Sequence, residues 1–233
     1  KAFGHLKSGA KKIIISAPGG SDVDATVVYG INHHTLKESD TVISNASCTT
    51  NCLVPLIKPL YDSLGVAAGL MTTVHSYTND QRLLDGKHQD KRRARAANLS
   101  IIPTSTGAVK TIGKIIPNIA NKIDGIAMRV PTANVSMIDF SFISSRDVTR
   151  HDVDRFMDAY ANENPRVMKV CYEELVSIDF NSTTYSAIFD ATQTKVVNNR
   201  LVRVAAWYDN EYGFASRMLD VSSLLADHLL NGK

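Results

Sequence analysis

TVISNASCTTNCLVPLIKPLYDSL, residues 41–64, is the stretch that decides the fold. Its apolar start predicts a strand, and the leucine and isoleucine spacing after Cys48 predicts a helix. Asn45 and Ser47 are helix-cap residue types, which place the cysteine in the first turn. The helix dipole and unpaired backbone N–H groups at that position stabilise a thiolate. Because a histidine elsewhere would complete an activated nucleophile, a covalent enzyme is the first hypothesis.

Length and composition exclude several classes of protein. The chain has 233 residues, 44% of them hydrophobic, which is enough for one large core or two smaller ones. A net charge of +3 is too small to imply a polyanionic partner. No apolar run approaches the ~20 residues of a membrane span, and no charged-then-apolar leader opens the chain. The three cysteines form no disulfide framework, which favours the cytoplasm.

The first 47 residues predict part of a parallel sheet. Residues 1–10 have the pattern of an amphipathic helix end, and residues 13–15, 25–29 and 41–43 are continuous apolar runs. A helix-like stretch lies near residues 33–40. Two or three parallel strands cannot cover themselves, and the sequence has neither an initiator methionine nor Gly-x-Gly-x-x-Gly. We therefore expect a remnant of a larger domain whose first part is missing from this chain.

The pattern after residue 65 favours a mostly antiparallel mixed sheet with helices on one face. Strands are expected at residues 69–75, 125–130, 135–143, 176–180, 195–197 and 201–207. Asn198-Asn199 predicts a tight hairpin turn because asparagine tolerates positive φ. Helices are expected at residues 107–119, at 149–162 with Thr149 as the cap, and at the C-terminus, with a long ordered loop at 76–107. The fold class is therefore α/β, with an α+β main part.

Five motifs give the chain a specific resemblance. They are SNASCTTNC at 44–52, TTVHS at 72–76, IIPTSTGA at 101–108, MRVPT at 128–132 and WYDNEYG at 207–213. In this order the motifs resemble those of phosphorylating glyceraldehyde-3-phosphate dehydrogenase, from the later part of its cofactor domain onward. The resemblance implies a remnant of a Rossmann-type dinucleotide-binding domain at 1–47, a catalytic domain at 48–209, and a helix at 210–233 that packs on the dinucleotide-binding domain.

By resemblance, Cys48 is the nucleophile that adds to the aldehyde carbon. A hydride then leaves for the nicotinamide of NAD, and inorganic phosphate cleaves the resulting thioester to an acyl phosphate. His75 matches the base that holds the thiolate and takes the hemithioacetal proton. Cys52, one helical turn further on, is expected to point inward and to be structural. The resemblance implies no metal.

Phosphate recognition is also implied by the resemblance. Thr78, Asp80 and Arg129 match the site for the substrate phosphate, with Asp80 expected to orient Arg129 or a cofactor hydroxyl rather than touch phosphate. A second group matches the site for inorganic phosphate, built from hydroxyl and N–H groups at helix starts: Ser47, Thr49, Thr106 and Gly107. Asn210 matches the residue that holds the nicotinamide carboxamide.

A basic loop carries two departures from the family pattern. Subunit contacts and solvation are the first interpretation of Lys87, Lys91, Arg92, Arg93 and Arg95. Nucleic acid is disfavoured because no aromatic residues are interleaved. Gly86-Lys87 replaces a Leu-Pro pair that is frequent in NAD-dependent relatives, so NADP stays possible, with Lys87 near a 2′-phosphate. Phe214 stands where many relatives carry tyrosine, so no hydroxyl contact is expected there.

Three alternatives stay open at this point. Erythrose-4-phosphate dehydrogenase shares the Cys and His motifs, although Thr78 and residues 105–107 favour the three-carbon substrate. A cysteine hydrolase would use the same thiolate but needs no phosphate clusters. A non-catalytic association fragment is the third, because the cofactor segment is missing from these residues. The expected partners are a phosphorylated aldehyde, inorganic phosphate and further copies of the chain, as a homotetramer.

Overall fold

The chain begins with a short helix and a small parallel sheet. A computed structural model describes residues 2–231. The first elements are α1 (Phe3–Lys7), β1 (Ile13–Ile15), β2 (Ala25–Thr26) and β3 (Val42–Ser44). Strands β1 and β2 both pair in parallel with β3, which lies between them. The predicted parallel arrangement is confirmed.

Two elements of this first part are shorter than predicted. Strand β2 stops at Thr26, and the helix expected near residue 33 is a single 3₁₀ turn, His33–Thr35. The Asn32 side chain accepts a hydrogen bond from Val28 N at 2.7 Å and donates one to Thr26 O at 2.9 Å. Because this side chain binds the backbone groups that a longer strand would pair, the strand ends here.

Helix α2 (Cys48–Leu64) begins where the sequence places it. Ser47 is the N-cap, and its Oγ accepts a hydrogen bond from Thr50 N at 3.1 Å. Ala46 has a φ of 56°, a left-handed conformation that turns the chain sharply between β3 and α2. The apolar side chains that come after Cys52 are completely buried, so α2 is the central helix of the main core.

The remaining elements form a second, larger sheet and its helices. In chain order they are β4 (Val66–Ser76), β5 (Ile102–Ser105), α3 (Ala108–Ile115), β6 (Ile123–Val130), β7 (Ser136–Ser144), α4 (Arg150–Glu163), β8 (Met168–Cys171), β9 (Ala187–Asp190), β10 (Lys195–Val197), β11 (Leu201–Tyr208) and α5 (Tyr212–Asn231). The sheet order is β5-β6-β4-β7-β11-β9-β8, with β10 also on β11. Only β4–β6 and β8–β9 are parallel, so the mixed, mostly antiparallel sheet is confirmed.

The core lies between this sheet and α2, α3 and α4. Alternate residues of β4 and β7, such as Met71, Phe140 and Phe142, face it and are buried. Helix α5 instead inserts Val221 and Leu225 among buried residues of the small sheet. Among the described residues, no helix combines the length and hydropathy that crossing a membrane requires.

Two predictions for the second half are wrong in detail. Residues 176–180 are not a strand: Ser177–Phe180 forms a 3₁₀ helix, because the Asp179 carboxylate accepts a hydrogen bond from Val176 N at 2.9 Å and closes a turn. The expected loop at 76–107 contains β5, a strand that was not predicted because proline, here Pro103, is atypical of strands. Proline has no N–H to donate, and β5 tolerates it because an edge strand has one side on which N–H groups pair with no neighbouring strand.

Candidate active site

The start of α2 and the end of β4 bring Cys48 and His75 together. Cys48 is the first residue of α2, and His75 is the penultimate residue of β4 in the middle of the large sheet. Cys48 Sγ lies 3.5 Å from His75 Nε2. The imidazole is 2% exposed, whereas Cys48 is partly accessible. A nucleophile next to a proton-transfer group is thus in place.

The charge state of the thiol differs from the prediction. Burial raises the pKa of the Cys48 thiol above its ordinary value, and the Thr49 N–H and the Arg129 charge oppose that rise without reversing it. The expectation of a standing thiolate is therefore wrong for this arrangement, because desolvation outweighs the helix start. Burial raises the pKa of Cys52 well above the ordinary value, and this side chain is fully buried, as a structural cysteine should be.

Arg129 and a backbone carbonyl compete for the far nitrogen of His75. Nδ1 lies 2.7 Å from Arg129 Nη1 and 2.6 Å from Ser76 O, and Arg129 Nη1 also donates to Ser76 O at 3.0 Å. A guanidinium only donates and a carbonyl oxygen only accepts, so Nδ1 satisfies one partner at a time: a bare Nδ1 accepts from Arg129 and leaves the hydrogen on Nε2, whereas an Nδ1–H donates to Ser76 O. Burial, helped by the Arg129 charge, lowers the pKa of His75 to about 4, so the ring is neutral at pH 7.

Strand register explains why Arg129 reaches the histidine. His75 on β4 is the direct neighbour of Arg129 on β6, and Arg129 in turn pairs with Ile102 on β5. Arg129 Nε is buried without a hydrogen-bond partner among the described residues. The guanidinium therefore has donor capacity left for an anion beside Cys48 and His75.

Asp80 has a different partner from the one expected. Its carboxylate forms an ion pair with Arg93 rather than a hydrogen bond with Arg129. Arg93 Nε also donates to Thr104 Oγ1 at 2.7 Å, and its Nη2 lies 3.5 Å from Ser105 O. Sequence reasoning missed Arg93, because nothing in the aperiodic loop separates it from its basic neighbours. It is a half-buried cation at the edge of the site.

Thr78 is held by a residue that the sequence did not single out. Gln81 Oε1 accepts hydrogen bonds from Thr78 N at 3.0 Å and from Thr78 Oγ1 at 3.3 Å. Gln81 is 3% exposed, so it fixes the loop after β4 from inside. The predicted substrate-phosphate residues therefore lie on the loop after β4 and on β6.

The four residues predicted for inorganic phosphate lie at two helix starts. Ser47 caps α2, and Gly107 precedes α3 in an exposed position. Thr106 Oγ1 accepts a hydrogen bond from Ala108 N at 3.3 Å, which holds it in the turn just before α3, whose N-cap is Gly107. Thr49 differs: its hydroxyl is buried and bonded to Tyr208 Oη at 3.0 Å. Both the Thr49 N–H and its side chain act on Cys48, where they oppose the rise in the thiol pKa.

Tyr208 is the largest omission of the sequence-based prediction. Its hydroxyl bonds Thr49 Oγ1 and, at 2.8 Å, Thr73 Oγ1, and its ring packs edge-on against His75 with centroids 5.8 Å apart. Tyr208 is the last residue of β11, on the same face as Val204 and Ala206. Extending the predicted strand by one residue would have placed it on the core face.

Asn210 lies just beyond β11 on the same side of the site. Its Oδ1 accepts hydrogen bonds from Ser76 Oγ at 2.9 Å and Ser136 Oγ at 2.8 Å. Its Nδ2 has no hydrogen-bond partner among the described residues and is not fully buried. A free amide donor close to His75 suits a carbonyl acceptor such as that of the nicotinamide carboxamide. The sequence contains no Gly-x-Gly-x-x-Gly that would bind the rest of a dinucleotide.

Comparison with known proteins gives one consistent result. Residues 47–210 match the family model described as glyceraldehyde 3-phosphate dehydrogenase, C-terminal domain. The chain is 58% identical over 227 residues to the plasmid-encoded glyceraldehyde-3-phosphate dehydrogenase of Cupriavidus necator, covering 97% of this chain and 67% of that protein. It is 51% identical to the enzyme of Pseudomonas aeruginosa over 97% of this chain and 67% of the relative. It is 50% identical to the enzyme of Zymomonas mobilis over 98% of this chain and 68% of that relative.

Proposed function

The chain belongs to the glyceraldehyde-3-phosphate dehydrogenase family, and from that premise we propose that it carries the catalytic site for the phosphorylating oxidation of D-glyceraldehyde 3-phosphate to 1,3-bisphosphoglycerate. The observation that carries the proposal is the contact of Cys48 Sγ with His75 Nε2 at 3.5 Å, with Arg129 bound to the same imidazole. This combination provides a nucleophile, a proton-transfer group and a cation for a phosphorylated aldehyde.

Binding of the substrate prepares the base. When Arg129 turns to the substrate phosphate, it releases His75 Nδ1, which can then hold the ring hydrogen against Ser76 O at 2.6 Å. Nε2 becomes the proton acceptor facing the thiol. It takes the Cys48 proton as sulfur bonds to the aldehyde carbon, and it returns a proton to the oxygen to give a hemithioacetal. Activation on binding fits a thiol whose pKa is raised in the free chain.

Oxidation and phosphorolysis come next at the same sulfur. NAD held through its carboxamide by Asn210 would supply the hydride acceptor for the hemithioacetal carbon. His75 takes the hydroxyl proton as the carbon–oxygen double bond forms, which leaves a thioester on Cys48. The residues predicted for inorganic phosphate, Ser47, Thr49, Thr106 and Gly107, would hold the phosphate whose oxygen attacks the thioester carbon. The carbon–sulfur bond breaks, and Cys48 leaves as a thiolate that His75 reprotonates.

The choice between NAD and NADP rests on the basic loop. Lys87 is exposed and lines a surface cavity with Arg82 and His88, and Arg82 Nε donates to Lys87 O at 3.0 Å. Asp80 and Arg93 line the same cavity and form an ion pair, so the cations of Arg82 and Lys87 are left for a 2′-phosphate, and NADP is accepted beside NAD under this proposal. Comparison of KM for the two cofactors in Lys87→Ala tests the assignment.

Assembly and location complete the proposal. The chain has three segments: a part of the cofactor domain at 1–47, the catalytic domain at 48–209, and a docking segment at 210–233. In the last segment, α5 packs on the small sheet. The chain forms a homotetramer through apolar surface of the large sheet. Its three cysteines are unpaired, as in a reducing cytoplasm. These 233 residues alone are expected to turn over weakly, because no glycine-rich turn binds the cofactor phosphates.

The test is phosphate-dependent NAD reduction with glyceraldehyde 3-phosphate. It compares this chain with a chain extended upstream by a dinucleotide-binding domain. In the extended chain, Cys48→Ala should abolish activity and His75→Asn should slow it by roughly 10²- to 10⁴-fold. Cys171→Ala, on a distant strand, is the control. Activity retained by Cys48→Ala would refute the proposed function, and full activity of the 233 residues alone would refute the expected weakness.

A further inference from the structure

The Asn210 amide is anchored at one end by two buried hydroxyl groups. Ser76 is 0% exposed and Ser136 is 1% exposed, and both lie within hydrogen-bond distance of Asn210 Oδ1. They come from the ends of two adjacent strands, β4 and β7. Asn210 itself lies just after β11, which pairs with β7 on the other side. Three neighbouring strand ends therefore meet at this single amide.

The hydrogen bonds around the serines fix the direction of the amide. Ser136 Oγ accepts a hydrogen bond from Ser76 N at 3.2 Å, so its own hydrogen is free to donate. The Ser76 hydroxyl has no acceptor other than Asn210 among the described residues. If the amide were reversed, its NH₂ would face both oxygens and two buried hydroxyl hydrogens would lack acceptors. Such unpaired buried groups are costly, so Oδ1 faces the serines.

The backbone around Asn210 is fixed as well. The Asp209 carboxylate accepts hydrogen bonds from Ser182 N at 2.7 Å and from Glu211 N and Tyr212 N at 2.9 and 2.8 Å. Asn210 thus sits between two anchored segments and can change only by rotation of its side chain. The two serines are the groups that oppose this rotation.

Resting on the proposed function, we propose that Ser76 and Ser136 are positioning residues that hold Asn210 with its NH₂ outward. The site then recognises the carbonyl oxygen of the nicotinamide carboxamide rather than its amino group. Ser76 links the choice to the catalytic pair, since its carbonyl oxygen lies 2.6 Å from His75 Nδ1.

The test measures the binding of two probes of equal charge by NMR titration of the ¹⁵N-labelled chain. Nicotinamide mononucleotide offers both a carbonyl oxygen and an amino group, whereas its 3-acetylpyridine analogue offers only the carbonyl. An outward NH₂ binds both probes with similar affinity. In the double variant Ser76→Ala/Ser136→Ala the amide can turn, so the acetyl probe should bind about fivefold more weakly than the nicotinamide probe. Ser141→Ala, on the opposite face of β7, should behave like the unmodified chain.

The outcomes separate the two proposals. Equal affinities of Asn210→Ala and the unmodified chain would overturn the cofactor role of Asn210, and this inference with it. A loss in Asn210→Ala with no new probe preference in the double serine variant would overturn the inference alone. A second measurement needs no ligand: neutron diffraction from a deuterated crystal should show both serine deuterons directed at Asn210 Oδ1. Deuterons of Asn210 Nδ2 directed at the serines would overturn the proposal.

Discussion

Arg129 and the Ser76 carbonyl oxygen both lie within 2.7 Å of His75 Nδ1, yet one donates and the other accepts. The tautomer of the imidazole therefore depends on where Arg129 points. When Arg129 is the partner of Nδ1, the ring hydrogen lies on Nε2, where it can only donate to sulfur. Under the proposed function, a phosphate that attracts Arg129 would convert the same ring into a base and so couple substrate recognition to activation of the thiol.

This coupling predicts a tautomer change that NMR can detect. The ¹⁵N shifts of His75 should indicate an Nε2–H tautomer in the free chain and an Nδ1–H tautomer after addition of glycerol 3-phosphate. The change should be absent in Arg129→Gln, which cannot exchange partners. Identical spectra of the unmodified chain with and without the ligand, at a concentration that shifts the Arg129 signals, would contradict the coupling.

The burial of the His75 imidazole predicts that acid destabilises the fold. The folded-state pKa of His75 is about 4, below its ordinary value of 6.5, so only the unfolded chain binds this proton between those values. Stability should then fall as pH falls from 6.5 towards 4. By pH 4.5 the loss from this group is roughly 2 to 3 kcal/mol. Urea unfolding at pH 7 and pH 4.5 should show a smaller difference for His75→Asn.

The control for this measurement is His151→Asn, which removes an exposed histidine on α4. Its two unfolding free energies should differ as much as those of the unmodified chain. If His75→Asn loses as much free energy of unfolding between pH 7 and pH 4.5 as the unmodified chain does, the buried neutral imidazole is not the source of that loss.

Alkylation by iodoacetamide tests the state of the thiol. Cys48 should react before Cys52 and Cys171, which are 0% and 7% exposed. Since burial raises the pKa of Cys48, its rate should still be climbing at pH values where an ordinary thiol has levelled off. Arg129→Gln removes a charge that lowers this pKa, so it should slow the reaction at pH 8, whereas the surface variant Arg95→Gln should not. A rate that levels off near pH 7 would restore the thiolate hypothesis.

At the scale of elements, helix starts agree closely with the sequence. Thr149 forms a capping box with Asp152: Thr149 Oγ1 accepts from Asp152 N at 3.2 Å, and the Asp152 carboxylate accepts from Thr149 N at 3.1 Å. Ser47 caps α2 in the same way through one hydroxyl. The two helices differ in the residue after the cap: α4 begins with Arg150, whereas α2 begins with Cys48, the proposed nucleophile.

Removal of the α4 cap should therefore cost stability without affecting the site. We expect Thr149→Ala to lower the free energy of unfolding by about 1 kcal/mol. Thr184→Ala, which changes an exposed threonine that caps no helix, should stay within about 0.5 kcal/mol of the unmodified chain. Alkylation of Cys48 should proceed at an unchanged rate in both variants. Unchanged stability of Thr149→Ala would show that the capping box is not maintained in solution.

Strand predictions based on alternating apolar and polar residues were correct where the segment pairs with another strand and wrong where it does not. Residues 176–180 alternate, but Ile178 is 71% exposed and no described strand pairs with this segment. The hairpin at Asn198 and Asn199 is confirmed, with φ values of 49° and 55°. A turn is decided by its own residues, whereas a strand needs a neighbour that the local sequence does not reveal.

At the scale of the whole molecule, one face of the large sheet carries apolar residues that the described helices do not cover. Leu70, Ile126, Ile143 and Leu201 are all exposed, and Ile143 pairs directly with Leu201 across β7 and β11. They lie on four adjacent strands, β6, β4, β7 and β11. Such a continuous apolar surface is typical of an interface, which supports the proposed homo-oligomer.

Charges placed on this face should prevent association. We expect Leu70→Glu/Ile143→Glu to shift the mass measured by light scattering towards that of a monomer, because two buried carboxylates would face an apolar partner. Leu99→Glu changes a still more exposed leucine in the loop before β5 and should leave the mass unchanged. An unchanged mass of the double variant would exclude this face as the interface.

The sequence by itself determined the helix start at Cys48, the cap of α4, the hairpin, the mixed sheet and the residues Cys48, His75, Arg129 and Asn210 as candidates. These features depend on side chains a few positions apart or on short motifs of neighbouring residues. Only the tertiary structure decided that Asp80 pairs with Arg93, that Tyr208 lies behind His75, and that Ser76 and Ser136 hold Asn210. It also reversed the expected direction of the Cys48 pKa. Contacts across strand registers and loss of solvent both depend on segments far apart in the chain, and the local pattern of residues contains neither.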